Sequence, residues 1–146
     1  TGENSLRSKF DARGLPNISE QNLGLSGHTI VTFDNGNKLL IVGGGKLEEM
    51  GKPGGLPQLS KALGLIQVYD VESGLFTDLS FYENKTQPNA VTNYDRLTEP
   101  RAYHSVTPVG NKQFVVAGGV TTRAGQTRAS NTVEIIDLSA PAGQRV

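Results

Sequence analysis

The chain has 146 residues, and its 14 Lys and Arg are matched by 14 Asp and Glu with no basic block among them. That balance excludes the electrostatic footprint of a nucleic-acid binder, so no nucleic-acid partner is expected. The absence of cysteine excludes disulfides and thiolate chemistry in these residues, and no apolar run approaches the ~20 residues of a membrane-spanning helix.

In chain order, residues 1–26 are polar and contain Gly14-Leu15-Pro16; they read as a lead-in, with Leu6 to Phe10 as the outer strand of a preceding unit. Thr29 to Phe33 and Leu39 to Val42 are short, rich in branched or aromatic residues and bounded by Gly, Asn and Asp, which predicts strands. Asp34-Asn35-Gly36-Asn37 between them predicts a hairpin, because Asn-Gly readily takes the positive φ angles of a tight turn. A polar stretch over 45–63 reads as a loop. Leu65 to Asp70 is a third strand, and Glu72-Ser73-Gly74 turns it into a fourth, Leu75 to Leu79. After a long connection over 81–100, the pattern begins again.

Tyr103-His104-Ser105-Val106-Thr107 matches Gly27-His28-Thr29-Ile30-Val31, and Gln113 to Gly119 matches the run that ends in Gly43-Gly44. Val133 to Asp137 then matches the strand that ends at Asp70. The offset is 76 from His28 to His104, 75 from Gly43 to Gly118 and 67 from Asp70 to Asp137. The copies thus stay in register over two strands and differ by eight residues in the next loop, the pattern of a repeat whose strands pack and whose loops only connect. Four antiparallel strands joined by turns make one twisted sheet.

These residues resemble the Kelch family, in which an Arg and a His precede the first strand, a glycine pair ends the second, a Tyr-Asp-like pair ends the third and an aromatic opens the fourth. Pro100-Arg101-Ala102-Tyr103-His104, the pairs Gly43-Gly44 and Gly118-Gly119, and Val68-Tyr69-Asp70 fit; Phe76 stands where Trp is usual, and the first copy lacks the Arg. The resemblance covers residues 27–80 and 101–146. It implies an all-β fold of Kelch-type β-propeller blades, about two blades of a larger propeller, with 27–100 as one blade plus its long connection and 101–146 as a second whose outer strand is cut short. His28, Gly43, Gly44, Tyr69, Asp70, Phe76, Arg101, His104, Gly118, Gly119 and Asp137 are then the structural positions of the repeat. Two blades leave wide sheet edges open, so the remaining blades are expected from the same chain or from an assembly.

Several signals invite chemistry they do not support. Gly43-Gly44-Gly45-Lys46 looks like the end of a phosphate-binding loop, but Leu40 stands where the first Gly belongs and Leu47 where Ser or Thr would reach magnesium. His28 and His104 suggest a metal pair, yet no carboxylate and histidine cluster of ligand spacing surrounds them and separate blades are expected to hold them apart. No metal or cofactor is therefore expected. Asn17-Ile18-Ser19 and Asn84-Lys85-Thr86 fit the glycosylation triplet, a pattern that also arises by chance.

The long segments 45–63, 120–130 and 81–100 all leave an up-and-down blade at one rim, so one face is expected to carry function on loops held by a rigid scaffold. Its candidate ligand-binding residues are Glu48, Glu49 and Lys52, then Tyr82, Tyr94 and Asp95, then Arg123, Gln126 and Arg128. Two arginines can grip carboxylates bidentately, and a tyrosine can stack on a sugar face or a peptide side chain. The expected function is a non-catalytic module that binds a protein or glycan. The alternative is a segment of a carbohydrate-active propeller enzyme, an oxidase or sugar isomerase, whose catalytic residues lie mostly elsewhere; a copper oxidase of this kind uses a tyrosine crosslinked to cysteine, which these residues cannot supply. Composition rich in Gly, Asn and Thr points to an extracellular or cell-surface protein, with cytoplasmic as the alternative.

Overall fold

The computed structural model describes residues 26–49, 57–79 and 95–146. Leu6 to Phe10 and both glycosylation triplets lie outside them. The described residues form eleven strands and no helix: β1 (Thr29–Phe33), β2 (Lys38–Val42), β3 (Gly45–Glu49), β4 (Pro57–Ala62), β5 (Ile66–Asp70), β6 (Leu75–Asp78), β7 (Ser105–Gly110), β8 (Gln113–Ala117), β9 (Val120–Arg123), β10 (Gln126–Ala129) and β11 (Val133–Asp137). The fold is all-β and every pairing is antiparallel.

Each repeat builds one main sheet. The first has the order β1-β2-β5-β6 and the second the order β11-β8-β7. Asp137 N–H donates to the Arg145 carbonyl at 2.8 Å, so the tail reaches the place beside β11 that Leu75 takes beside Asp70. In the first sheet, Tyr69 and Phe76 stack across β5 and β6 with ring centroids 4.6 Å apart.

Alternation along the strands decides how the two sheets meet. Register places Val31, Leu40, Val42, Ile66 and Val68 on one face of the first sheet, and Val106, Phe114, Val116 and Ile136 on one face of the second. These two faces, with Leu97, form one hydrophobic core, and Phe33 meets Phe114 edge-on at 5.5 Å. The repeats are therefore stacked face to face, as apolar sheet faces require.

One local expectation needs correction. The segments over 45–63 and 120–130 are not irregular loops: each folds into a hairpin, β3–β4 and β9–β10. Their strands are polar because they rise clear of the core, so they lack the apolar alternation by which the other strands are legible. The first turn is the Asn-Gly turn expected from sequence: Asn35 (φ 53°) and Gly36 (φ 82°) are left-handed, and Asn37 N–H closes it on the Asp34 carbonyl at 3.0 Å. Asp34 (φ 52°) is left-handed too, so a second turn overlaps it, with Gly36 N–H on the Phe33 carbonyl at 3.1 Å; Asp and Asn tolerate that conformation better than other side chains.

Candidate binding face

The hairpins spring from the glycine pairs. Gly43 and Gly44 (φ 62° and 98°) and Gly118 and Gly119 (φ 68° and 84°) swing the backbone out of β2 and β8, and the bridges Ser26–Gly45 and Ala102–Val120 fix the base of each hairpin. Ser130 N–H closes the second hairpin on the Gly119 carbonyl at 2.9 Å. At the tip of β9–β10, Ala124 and Gly125 (φ 51° and 74°) form the two-residue turn whose handedness suits paired strands.

The hairpins lie side by side. Thr122 Oγ1 accepts the Ala62 N–H at 2.8 Å, and Thr127 Oγ1 donates to the Leu59 carbonyl at 3.4 Å. Because Gln126 pairs with Arg123 and Arg128 with Thr121, period-two alternation puts Thr121, Arg123, Gln126 and Arg128 together on the face opposite Thr122 and Thr127. Both arginines and Gln126 are exposed. Arg128 Nη2 donates to Gln126 Oε1 at 3.3 Å, and neither arginine has a carboxylate partner among the described residues. Three of the residues expected from sequence thus converge on one exposed, basic face.

The other candidates fare differently. Glu48 and Glu49 stand opposite Gln58 and Pro57 on β3–β4, whereas Lys52, Tyr82 and Tyr94 lie outside the described residues. Asp95 is turned inward: it is buried, accepts the N–H groups of Gly143 and Arg145 at 2.9 and 3.0 Å and pairs with the Arg145 guanidinium at 2.8 Å. Its carboxylate holds the tail against the connection and is not offered to a ligand.

Arg101 is 0 % exposed and braces the hairpin base. Nη1 donates to the Gly118 and Thr132 carbonyls at 3.1 and 3.0 Å, Nε to the Glu99 carbonyl at 3.2 Å, and Nη2 to Thr132 Oγ1 and Glu134 Oε2, both at 2.6 Å. Glu99 Oε2, 3.3 Å from Nη2, also accepts the hydroxyls of Ser130 and Thr132; those two hydrogen bonds first, and Arg101 after them, hold its carboxyl below the usual range.

His104 sits at the seam between the repeats. Its carbonyl accepts the Thr29 hydroxyl at 2.9 Å, while its buried ring nitrogens have no hydrogen-bond partner of good geometry. Burial first, then the positive charge of Arg101, push its pKa down to about 4, with the Val42 backbone acting weakly in the opposite sense. The charge of His28 acts weakly in the same direction as that of Arg101. Among the described residues no group of three or more His, Asp or Glu is placed to hold a metal ion.

A neutral buried imidazole makes stability depend on pH. The unfolded ring takes up a proton near its ordinary value of 6.5 whereas the folded one does so near 4, so this contribution is complete above 6.5 and is lost as pH falls toward 4, by about 3 kcal/mol. Denaturant midpoints measured from pH 7 to 4 should fall steeply for the native chain and less steeply for His104→Gln; equal slopes would assign the loss to other groups.

One exposed feature was not anticipated. Tyr103 holds a left-handed backbone (φ 56°) at the position that Gly27 (φ 68°) occupies in the first repeat, its ring lies over Gly27, and its hydroxyl shares a hydrogen bond with Ser26 at 3.1 Å. Aligning the two copies residue by residue exposes it, since the glycine marks the conformation that the tyrosine must adopt. Compared with known proteins, the chain matches no protein-family model and no curated protein.

Proposed function

We propose that these residues belong to a Kelch-type β-propeller that serves as a non-catalytic binding module, recognising a protein or glycan through the face built by the rim hairpins. The observation that carries the reading is the convergence of Arg123, Gln126 and Arg128 on one exposed face of a hairpin. Paired guanidiniums favour carboxylate or sulfate groups because each presents two parallel N–H donors, and a hairpin braced at its base holds them with little loss of freedom on binding. The remaining blades come from the same chain or from an assembly, and an extracellular or cell-surface setting suits a recogniser of acidic ligands.

Titration with a polyglutamate peptide and with a uronic-acid oligosaccharide tests this. One of the two is expected to bind, and the Arg123→Ala, Arg128→Ala double variant to lose at least tenfold in affinity, about 1.4 kcal/mol or more, with its melting unchanged because both side chains are exposed. Binding of neither probe, or undiminished binding by the variant, would remove this face from the function.

A further inference from the structure

The internal repeat makes Tyr103 conspicuous. Its counterpart in the first copy is Gly27, and both positions are left-handed, at φ 56° and 68°, so the bend itself asks for glycine and a bulky side chain there is strained. Strain kept where the fold has a ready alternative points to a residue held for contact with something outside the fold.

The side chain is built as a platform. A Cβ placed on Gly27 would stand 3.0 Å from three carbons of the Tyr103 ring, so one face of the ring lies across the glycine, which has no side chain to tilt it. The hydroxyl shares a hydrogen bond with Ser26 at 3.1 Å, and the Tyr103 N–H donates to the Gly27 carbonyl at 2.7 Å; ring tip and backbone are both fixed. The opposite ring face is open, since Tyr103 is 56 % exposed. Its rim is polar, with the Ser26 hydroxyl beside the phenol and the exposed His28 following Gly27 in the chain.

This platform stands at the foot of the arginine-bearing hairpin. Ala102, the neighbour of Tyr103, bridges Val120, and on the β9–β10 ladder the rungs beyond Val120–Ala129 are Thr121–Arg128, Thr122–Thr127 and Arg123–Gln126. We infer that Tyr103 is a sugar-stacking residue and that the ligand of this rim is an acidic glycan. A pyranose ring lays its C–H face on the phenol ring, its hydroxyls meet the polar rim, and its carboxylates reach the guanidiniums of the hairpin. The inference rests on the hairpin-face reading and narrows its ligand from a protein or glycan to a glycan.

Tyr103→Gly and Tyr103→Phe, made in the complete protein as its source produces it, are titrated with the uronic-acid oligosaccharide and with the polyglutamate peptide. The native protein is expected to bind the oligosaccharide, and Tyr103→Phe to stay within about threefold of it because the ring remains. Tyr103→Gly is expected to lose about tenfold or more in affinity while melting no lower than the native protein, since glycine relieves the bend. Undiminished binding by Tyr103→Gly, or a lower melt, would make the ring a tie between the repeats and overturn the inference while leaving the hairpin face in place. Binding of polyglutamate alone would overturn it in favour of a peptide ligand on the same face. Binding of neither probe removes the hairpin-face reading, and this inference with it.

Discussion

Arg101→Met is expected to destabilise the chain by about 3–5 kcal/mol, the range for removing one partner of a buried ion pair. The guanidinium satisfies three carbonyls and a hydroxyl and faces two carboxylates; without it, Glu134 and Glu99 keep their charge in a partly buried site, and the Gly118 and Thr132 carbonyls lose a donor. Glu134 is already committed to this place, because its carboxylate accepts the N–H groups of Thr98 and Glu99 at 2.6 and 3.3 Å. Arg101→Lys should not rescue the loss, since a single ammonium cannot reproduce a planar fork that points in several directions at once. Adding Glu134→Gln to Arg101→Met should restore part of the stability by removing one orphaned charge. Urea unfolding of the single and double variants measures this, and a loss under about 1 kcal/mol for Arg101→Met would mean that the network is dispensable.

Alanine at Gly43 or Gly119 should cost far more than alanine at Gly118, although all three have positive φ. A Cβ at Gly43 would stand 2.4 Å from both the Arg101 carbonyl oxygen and His104 Cε1, and one at Gly119 would stand 2.5 Å from the Ala102 carbonyl oxygen and 2.8 Å from His104 N. Most of these neighbours are backbone atoms, which cannot turn aside. At Gly118 nothing lies within 4 Å, so only the left-handed conformation is penalised, by about 1–2 kcal/mol. Overpacking adds about 1–3 kcal/mol at the other two positions, so Gly43→Ala and Gly119→Ala are expected to cost about 2–5 kcal/mol in all. Thermal melts of the three variants decide it: equal losses would show that the repeats do not approach as closely as these distances require.

That contrast shows what the sequence could reveal and what it could not. Thr29–Phe33 and Val133–Asp137 were legible to the residue, because half-buried strands alternate side chains and Gly, Asn or Asp end them. The glycine pairs were legible as bends, but not the difference between Gly118 and Gly119, which depends on what the other end of the repeat places beside each. Hairpins β3–β4 and β9–β10 were missed because an exposed ladder needs no apolar period; the Thr-rich strands flanking Ala124-Gly125 were the signal that remained. Of the candidate site, Arg123, Gln126 and Arg128 were found by residue type alone, and the pairing of β9 with β10 is what gathers them. Asp95 could not have been separated from them, since its burial depends on a tail 48 and 50 residues further along.

All but one residue of the first repeat's extra length falls between its glycine pair and its third strand, where residues 50–56 join β3 to β4 while Ala124 and Gly125 alone join β9 to β10. After duplication of an ancestral unit, such a hairpin can lengthen or change charge without shifting the register of any core strand. The two copies have already diverged this way, one with Lys46, Glu48 and Glu49 and the other with Arg123 and Arg128. Each repeat can in this way evolve its own recognition while inheriting the same scaffold.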